Sequence, residues 1–306
     1  MKSRIRESHG DRVMMLVIYI VMALVFVVTL YPILFVLSAS VSDPSAVATG
    51  KMLLIPKGFT IEGYQYVFQY REIWIGYANT IFYTFFGTLI NLVVTLPAAY
   101  ALSRRELAGR GFFMTLFLIT MYFSGGLIPQ YLNVNSLGLV NTRTYILIHG
   151  AVSVYNLIVA RTFFSTTIPE ELVEAARIDG LNELQVFTKI VLPLSKPIIV
   201  VLALYYGVSR WNSYFTEMIY LSRVREAWPL QLFLREILVQ GKFAETAVMA
   251  GNMLDAEEMA FLLKQAETAN MIKYCVIVIS TAPMLIIYPR LQKFFNKGIM
   301  IGAVKG

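Results

Sequence analysis

Charged residues are scarce in this chain. Of its 306 residues only 15% are aspartate, glutamate, lysine or arginine, whereas 57% are hydrophobic, and the mean hydropathy is +0.63. A soluble domain carries roughly 25% charged residues, because its surface must interact with water. The deficit excludes an ordinary soluble globule and indicates a protein embedded largely in a lipid bilayer.

Residues that build metal and redox sites are also few. The single cysteine, Cys275, lies within an apolar run, so the chain can form neither an internal disulfide nor a cysteine metal site. The two histidines, His9 and His149, are far apart in sequence, and we interpret them as a tail residue and a packed helix residue. We therefore expect no metal and no cofactor in this chain.

Motifs for nucleotide binding and for catalysis are missing from the sequence. The pairs Gly50-Lys51 and Gly241-Lys242 have no glycine five positions earlier, so neither is a Walker A loop. No GxSxG or HExxH pattern occurs. These absences predict that the chain is not an enzyme, that it cannot bind ATP through a Walker A loop, and that energy must come from a separate chain.

Apolar stretches, by contrast, are long. A helix needs about 20 mostly apolar residues to cross a bilayer. Stretches of that kind lie at 13–37, 77–102, within 111–142, and at 143–164, 197–221 and 274–289. The first is too long for a signal peptide and lacks a clear cleavage pattern, so we expect it to stay as a helix. The sequence thus predicts an all-α bundle of six transmembrane helices, forming one domain over residues 1–306.

Lysine and arginine are distributed unequally between the two sides of this predicted bundle. Segments 1–12, 103–111, 161–196 and 290–306 share one side and contain 15 basic residues in 74 positions, whereas the opposite loops contain 10 in 104. Cytoplasmic loops are enriched in these residues. The distribution predicts that both termini are cytoplasmic, and it accounts for the net charge of +7 without a nucleic-acid partner.

The segment 223–273 is then extracytoplasmic and contains an amphipathic pattern. Apolar residues follow the spacing i, i+3, i+4, i+7 and i+8 of a helix face. They are Leu230, Phe233, Leu234, Ile237 and Leu238. This face either docks an external binding protein or packs onto the chain's own bundle, and both alternatives stay open.

The cytoplasmic loop at 166–194 is predicted to form two short helices joined by a tight turn. Pro169 suits a first helical position, and Gly180 suits the left-handed residue that ends a helix. Asn182 with Gln185 three residues later is typical of a capping box that starts the second helix.

The same loop carries the motif that is most specific to a family. The alanine pair after Glu174 leaves one helix face small, so that another protein can approach the backbone. The order Glu-Ala-Ala, Asp-Gly and, after nine intervening residues, Ile-Val-Leu-Pro resembles the signature of permease subunits in bacterial ATP-binding-cassette importers. In that family the loop is a coupling helix seated in the ATPase. The resemblance implies this role for Glu174, Ala175, Ala176, Asp179, Gly180, Leu192 and Pro193.

Other residues narrow the resemblance to the maltose-type carbohydrate permeases, which have the type I importer fold. They are Trp211-Asn212, Tyr288-Pro289 and the ending from Gly298 to Gly306, which is similar to the branch for aldouronate and complex polysaccharide fragments. The resemblance implies a bacterial cell membrane location and an oligosaccharide substrate. It also implies three kinds of partner: a second permease subunit, two ATP-binding subunits and an extracytoplasmic solute-binding protein.

A sugar path through the membrane requires polar and aromatic side chains. Arg210 lies about halfway along the fifth predicted helix, with Glu217 on nearly the same face. An ionisable residue at membrane depth is a functional candidate, and Arg210 could meet a uronate carboxylate. Alternatively, the helix ends early and Arg210 lies at the outer interface, or Arg210 pairs structurally with Glu217. The candidate path residues, each with packing as its alternative, are Tyr122, Tyr155, Asn156, Arg210, Trp211, Asn212, Tyr214 and Glu217.

Two other functions are considered beside the importer. A secondary transporter driven by an ion gradient usually shows internal repeats and broken helices, and neither is clear in this sequence. A membrane-embedded enzyme is disfavoured by the missing catalytic motifs.

Overall fold

The computed structural model describes residues 9–249 and 256–302, and α-helix dominates them, with no β-strand in these two ranges. A π-helix (Phe187–Val191) follows α10, and a 3-10 turn (Arg225–Ala227) precedes α14. The α-helices are, in chain order, α1 (His9–Ala39), α2 (Pro44–Ala48), α3 (Glu62–Gln69), α4 (Arg71–Ser103), α5 (Arg110–Tyr122), α6 (Leu127–Ser136), α7 (Arg143–Ile148), α8 (Val154–Thr167), α9 (Glu170–Ile178), α10 (Glu183–Val186), α11 (Leu192–Leu194), α12 (Lys196–Trp211), α13 (Phe215–Tyr220), α14 (Leu230–Met249) and α15 (Ala256–Gly302).

These helices form two compact units. The described residues up to Tyr70 and those from Glu236 to Thr281 make one unit, and the remaining described residues make the other. In the first unit Gly63 of α3 lies against α15, where an added Cβ would be 2.6 Å from the Cys275 sulfur. The absence of a side chain at Gly63 therefore allows these two helices to approach closely.

Within the two described ranges, three helices are long and apolar enough to cross a membrane: α1, α4 and the part of α15 at Glu257–Ile287. Two further spans result if each of two bent pairs is counted once, namely α5 with α6 at 113°, and Glu183–Leu194 with α12 at 83°. The structure therefore confirms a helical membrane protein with three to five candidate spans. The expected crossing at 143–164 is divided between the short helix α7 and the 14-residue helix α8, so it does not count as one span.

Helix α4 has the residue distribution of a membrane helix, with polar residues inside and apolar residues outside, the reverse of a soluble protein. Its polar residues Asn79 and Asn91 are buried, whereas Phe85 and Val93 are 63% and 62% exposed. Water would disfavour such an apolar surface, but lipid chains do not. On its buried side α4 packs on α8 and α12, and the core there consists of tightly packed side chains. They include Ala99, Leu157, Ala160, Phe164 and Leu202, all fully buried.

The polar residues near the start of α4 hold the chain that precedes α14. The Asn79 Nδ2 donates to the carbonyls of Glu226 and Trp228, both at 2.8 Å, and the Asn79 Oδ1 accepts from Arg143 at 3.0 Å. One helix residue thus satisfies three groups that a dry environment would otherwise leave unpaired.

Replacing Asn79 with alanine should lower the thermal stability of the purified chain by several degrees. The reason is that each buried acceptor left without its donor costs about 1–3 kcal/mol. The measurement is thermal unfolding in detergent. Asn135→Ala, at an exposed position of α6, is the control and should unfold with the parent protein. Equal midpoints for Asn79→Ala and the parent would contradict a stabilising role for these hydrogen bonds.

Candidate functional site

The 166–194 loop has the local structure that its sequence predicts. Helix α9 ends before Gly180, whose φ is +84°, in the left-handed region that glycine adopts most easily. The Asn182 side chain accepts from the Gln185 backbone at 2.9 Å, and the Gln185 side chain accepts from the Asn182 backbone at 3.0 Å. The capping box is therefore confirmed. Pro169 is the N-cap residue, one position before the first helical residue that we expected it to be.

One face of α9 belongs to the protein core. Val173 and Ala176 are 2% and 4% exposed and join the cluster that contains Tyr100 and Phe187. The expectation that Ala175 and Ala176 together form a small outward face is therefore wrong for Ala176. The coupling set, meaning the residues predicted to contact the ATPase, keeps four members at the surface of α9 and its turn. They are Glu174, Ala175, Asp179 and Gly180.

An ion-pair bridge connects this loop to the turn after α4. The Arg177 Nε lies 2.8 Å from the Glu183 Oε1, and its Nη1 lies 2.8 Å from the Glu106 Oε2. The hydrogen bonds that Arg177 donates to Glu183, and then to Glu106, raise the pKa of Arg177. One guanidinium therefore ties α9, α10 and the α4–α5 turn together.

Apolar side chains stand exposed beside the coupling set, and sequence reasoning missed them. Ile178 is 86% exposed and Leu184 is 70% exposed, although both lie in a charged loop. The sequence could have indicated them, because each is an apolar residue that does not belong to the buried face marked by Val173 and Ala176. At the other end of the motif, Leu192 is partly buried against the core, and Pro193 is exposed.

A cavity of about 750 Å³ in the second unit gathers several of the predicted path residues. Tyr155, Asn156 and Arg210 line it, together with His149 and Tyr205, which we did not single out for this role. Tyr155 and Tyr205 are 56% and 41% exposed. Their rings offer apolar faces of the kind that stack on sugar rings.

Arg210 lies in the wall of this cavity, next to the break between α7 and α8, which is the non-helical segment 149–153. Arg210 stabilises this break by hydrogen bonds. Its guanidinium donates to the carbonyls of Ile146 at 2.5 Å, Leu147 at 3.1 Å and His149 at 2.8 Å. In the described part of the chain, no carboxylate lies within ion-pair distance of Arg210. Arg210 is therefore a structural clamp, and its charge is not neutralised by direct pairing.

Asn91 of α4 completes the clamp. Its Nδ2 donates to the carbonyls of Gly150 and Ala151, at 2.7 and 2.8 Å, and its Oδ1 accepts from the Arg210 Nε at 3.3 Å. Gly87, one turn earlier, makes room for the arginine, because an added Cβ would lie 2.9 Å from the Arg210 Nε.

The remaining path residues are scattered, because the fifth helix ends sooner than predicted. Helix α12 stops at Trp211, so Glu217 lies on the separate helix α13 and the shared face with Arg210 does not exist. Glu217 is buried and accepts from the Ser213 hydroxyl at 2.8 Å. The bend at 212–214 thus divides the predicted helix.

Trp211 and the side chains that follow it have separate surroundings. Trp211 is buried and packs edge-on against Tyr77, with ring centres 6.2 Å apart. Asn212 and Tyr214 are exposed, and the Arg235 guanidinium lies 6.0 Å from the Tyr214 ring centre. Tyr122, at the end of α5, is 76% exposed and does not line the cavity.

The arrangement of bent helices around an exposed capped loop has a counterpart among known proteins. Residues 72–301 match the family described as binding-protein-dependent transport system inner membrane component. The chain belongs to this family. The resemblance that the 166–194 loop motif indicated is thereby confirmed, and this inner membrane component is similar to named permeases along nearly its whole length.

Two relatives come from Bacillus subtilis (strain 168). The polygalacturonan/rhamnogalacturonan transport system permease protein YtcP is 38% identical over 97% of this chain and 99% of its own length. Protein LplC is 38% identical over 91% of this chain and 90% of its own length. Among solved structures, a bacterial ABC transporter involved in the import of the acidic polysaccharide alginate contains a chain that is 36% identical, with a TM-score of 0.81, covering 94% of this chain and 99% of that one.

Replacing Arg210 should destabilise the protein whether or not the charge is kept. Arg210→Met removes the donors for the α7–α8 break, and in Arg210→Lys a compact ammonium cannot reach carbonyls as far apart as those of Ile146 and His149. At about 1–3 kcal/mol for each buried acceptor left unpaired, both variants should unfold several degrees earlier in detergent. Arg223→Lys, at an exposed loop position, should not change the midpoint. Full stability of Arg210→Lys would show that only the charge matters.

Proposed function

We propose that this chain is the permease subunit of an ATP-driven importer for oligosaccharides that contain acidic sugars. With a second permease subunit it would form the translocation path, and two separate ATP-binding subunits and an extracytoplasmic solute-binding protein would complete the transporter. The chain itself would bind no cofactor, and ATP and Mg would bind to the ATPase subunits.

The observation that supports an acidic substrate is the positive charge of Arg210 in the wall of the 750 Å³ cavity. The Arg210 guanidinium has no carboxylate within ion-pair distance in the described chain, although the more distant Glu217 offsets part of its charge. It gives the wall a positive potential, which favours an anionic ligand over a neutral one. Tyr155 and Tyr205 supply stacking faces, and Asn156 supplies an amide. Relatives whose names specify polygalacturonan and the acidic polysaccharide alginate agree with this chemistry.

In this proposal Arg210 attracts the substrate by its electrostatic field and does not hydrogen-bond it directly. The reason is that its N–H donors are largely used by backbone carbonyls. Its charge is fixed at every physiological pH, because an arginine does not lose its proton under such conditions. The clamp and the potential are therefore two consequences of one residue.

The topology that goes with this function has six crossings and cytoplasmic termini. Five of the crossings are the candidate spans and bent pairs of helices described above. The additional crossing would be α7 and α8 taken together across the break at 149–153. An irregular backbone at membrane depth is tolerated where it lines a cavity and its polar groups are paired, and both conditions hold at this break.

The coupling role falls to the exposed part of the 166–194 loop. The side chains that an ATPase cleft would contact are those of Glu174, Ala175 and Asp179, with Ile178 as the apolar anchor. A few residues near the centre of an interface contribute most of its binding energy, and we propose that Ile178 is one of them. An ion-gradient mechanism has no role for such a loop, so ion-driven secondary transport is not favoured.

Placing a carboxylate in the cavity should discriminate against acidic substrates. Ser209 lines the cavity at an exposed position, so Ser209→Asp adds a negative charge with little steric change, and Ser209→Asn is its neutral match. We expect uptake of oligogalacturonate to fall about tenfold in the aspartate variant relative to the asparagine variant, as charge repulsion in an intermediate dielectric requires. Uptake of a neutral oligosaccharide should be equal in both. Equal loss for both substrates would contradict the acidic substrate class.

Introducing a charge at Ile178 should separate the permease from its ATPase. We expect Ile178→Asp to weaken retention of the ATP-binding subunit on the order of tenfold, because an interface anchor is replaced by a carboxylate. The permease should unfold at the parental temperature, since the side chain is 86% exposed. Retention is measured by co-purification and transport by uptake.

Ile55→Asp is the matched control for this experiment, because Ile55 is 79% exposed and lies outside the loop. It should leave ATPase retention unchanged. If Ile178→Asp retained the ATPase and transported at the parental rate, the coupling assignment would be wrong.

A further inference from the structure

A second cavity, of about 550 Å³, opens between the ends of α4, α5 and α8. Three arginines line it, Arg104, Arg105 and Arg110, together with the polar residues Ser165, Thr166 and Thr167. Two carboxylates of the first turn of α9, those of Glu170 and Glu171, complete the rim. The cavity is thus rich in donors and carries charge of both signs.

The positive charge of this cavity exceeds its negative charge. Among the residues that the structure describes, none of the three arginines forms an ion pair, because the nearby carboxylate of Glu106 is held by Arg177 at 2.8 Å. The Arg104 Nε donates to the Ser103 hydroxyl at 3.3 Å, and its guanidinium lies 4.9 Å from the Tyr100 ring centre, so neither contact neutralises it.

Neighbouring groups change this balance little. Arg161 is near enough to Arg110 for their like charges to interact, which adds a fourth positive group. Glu170 and Glu171 are exposed to solvent and lie at the start of α9, where the free N–H groups of the helix already offset part of their charge. The cavity therefore keeps unpaired guanidinium groups in a polar enclosure.

The arginines also lie at a boundary between polar and apolar surface. Ser103 is the last residue of the candidate span α4, and Arg110 is the first residue of α5. Just past Arg110, Phe112 and Phe113 are 64% and 47% exposed. A ligand with an anionic end and an apolar end would match this sequence of surfaces, since its charge would enter the cavity and its chain would lie along the phenylalanines.

We propose that this cavity binds the phosphate-bearing headgroup of an anionic phospholipid. Guanidinium forks match phosphate oxygens in geometry and charge. A free phosphate shares that chemistry but gains nothing from the exposed phenylalanines, and for this reason the lipid is favoured. The inference requires only that the helices lie in a bilayer, and it does not depend on which sugar is transported.

The test compares phosphatidylglycerol with phosphatidylcholine on the purified, assembled transporter by native mass spectrometry. Each basic residue near an anionic lipid strengthens binding about fivefold. The parent should retain phosphatidylglycerol in clear excess, and the triple variant Arg104→Gln, Arg105→Gln, Arg110→Gln should lose at least about tenfold of that preference. The matched control Lys51→Gln, Lys57→Gln, Arg223→Gln removes the same charge at exposed positions elsewhere and should keep the preference.

Three results would overturn the proposal. One is an unchanged lipid preference in the triple variant. Another is equally tight binding of inorganic phosphate, measured by calorimetry without added lipid, which would identify a free anion as the ligand. A third is loss of the ATP-binding subunit with the lipid preference intact, which would assign the arginines to a protein contact. If the triple variant fails to fold, the exposed single variants Arg105→Gln and Arg105→Glu should show a graded loss of preference, and its absence would be equally decisive.

Discussion

The clamp made by Arg210 and Asn91 is the interaction on which the architecture of the second unit depends. Between α7 and α8 the chain leaves helical geometry, and the carbonyls from Ile146 to Ala151 lose their helical donors. Inside a bilayer no water replaces those donors. Two side chains from α12 and α4 satisfy five of these carbonyls at 2.5–3.1 Å. The break can therefore persist, and it forms a wall of the cavity.

The same constraint explains why polar residues occupy the interior of this unit. The Tyr206 hydroxyl accepts from the Ser153 backbone at 3.0 Å and lies 2.8 Å from the Thr95 hydroxyl, so the far end of the break is held as well. Asn79 performs a comparable task for the chain before α14. On α4, exposed positions such as Phe85 and Val93 are apolar, whereas the buried Asn79 and Asn91 pair with irregular backbone.

The loop at 166–194 combines a buried face with exposed side chains. Val173 and Ala176 anchor α9 in the same core that contains α8 and α12, and the Arg177 bridge fixes its orientation relative to the α4–α5 turn. In our proposal, a force that the ATPase applies to Ile178 would reach the helices lining the Arg210 cavity through this buried face. The second cavity, lined by Arg104, Arg105 and Arg110, lies beside the same turn. In our proposals, lipid and ATPase therefore contact neighbouring parts of one structural element.

The amino-acid sequence by itself determined the membrane class, the helical content and the capped turn at Gly180 and Asn182, because these follow from local composition and from residues close together in the chain. Its loop motif also determined the family, which the match over residues 72–301 confirms. Only the tertiary structure decided where helices break, that Ala176 faces inward and that Arg210 holds the α7–α8 break. Those outcomes depend on hydrogen-bond partners and packing surfaces more than 60 residues away, such as Ile146 for Arg210, which no local pattern encodes.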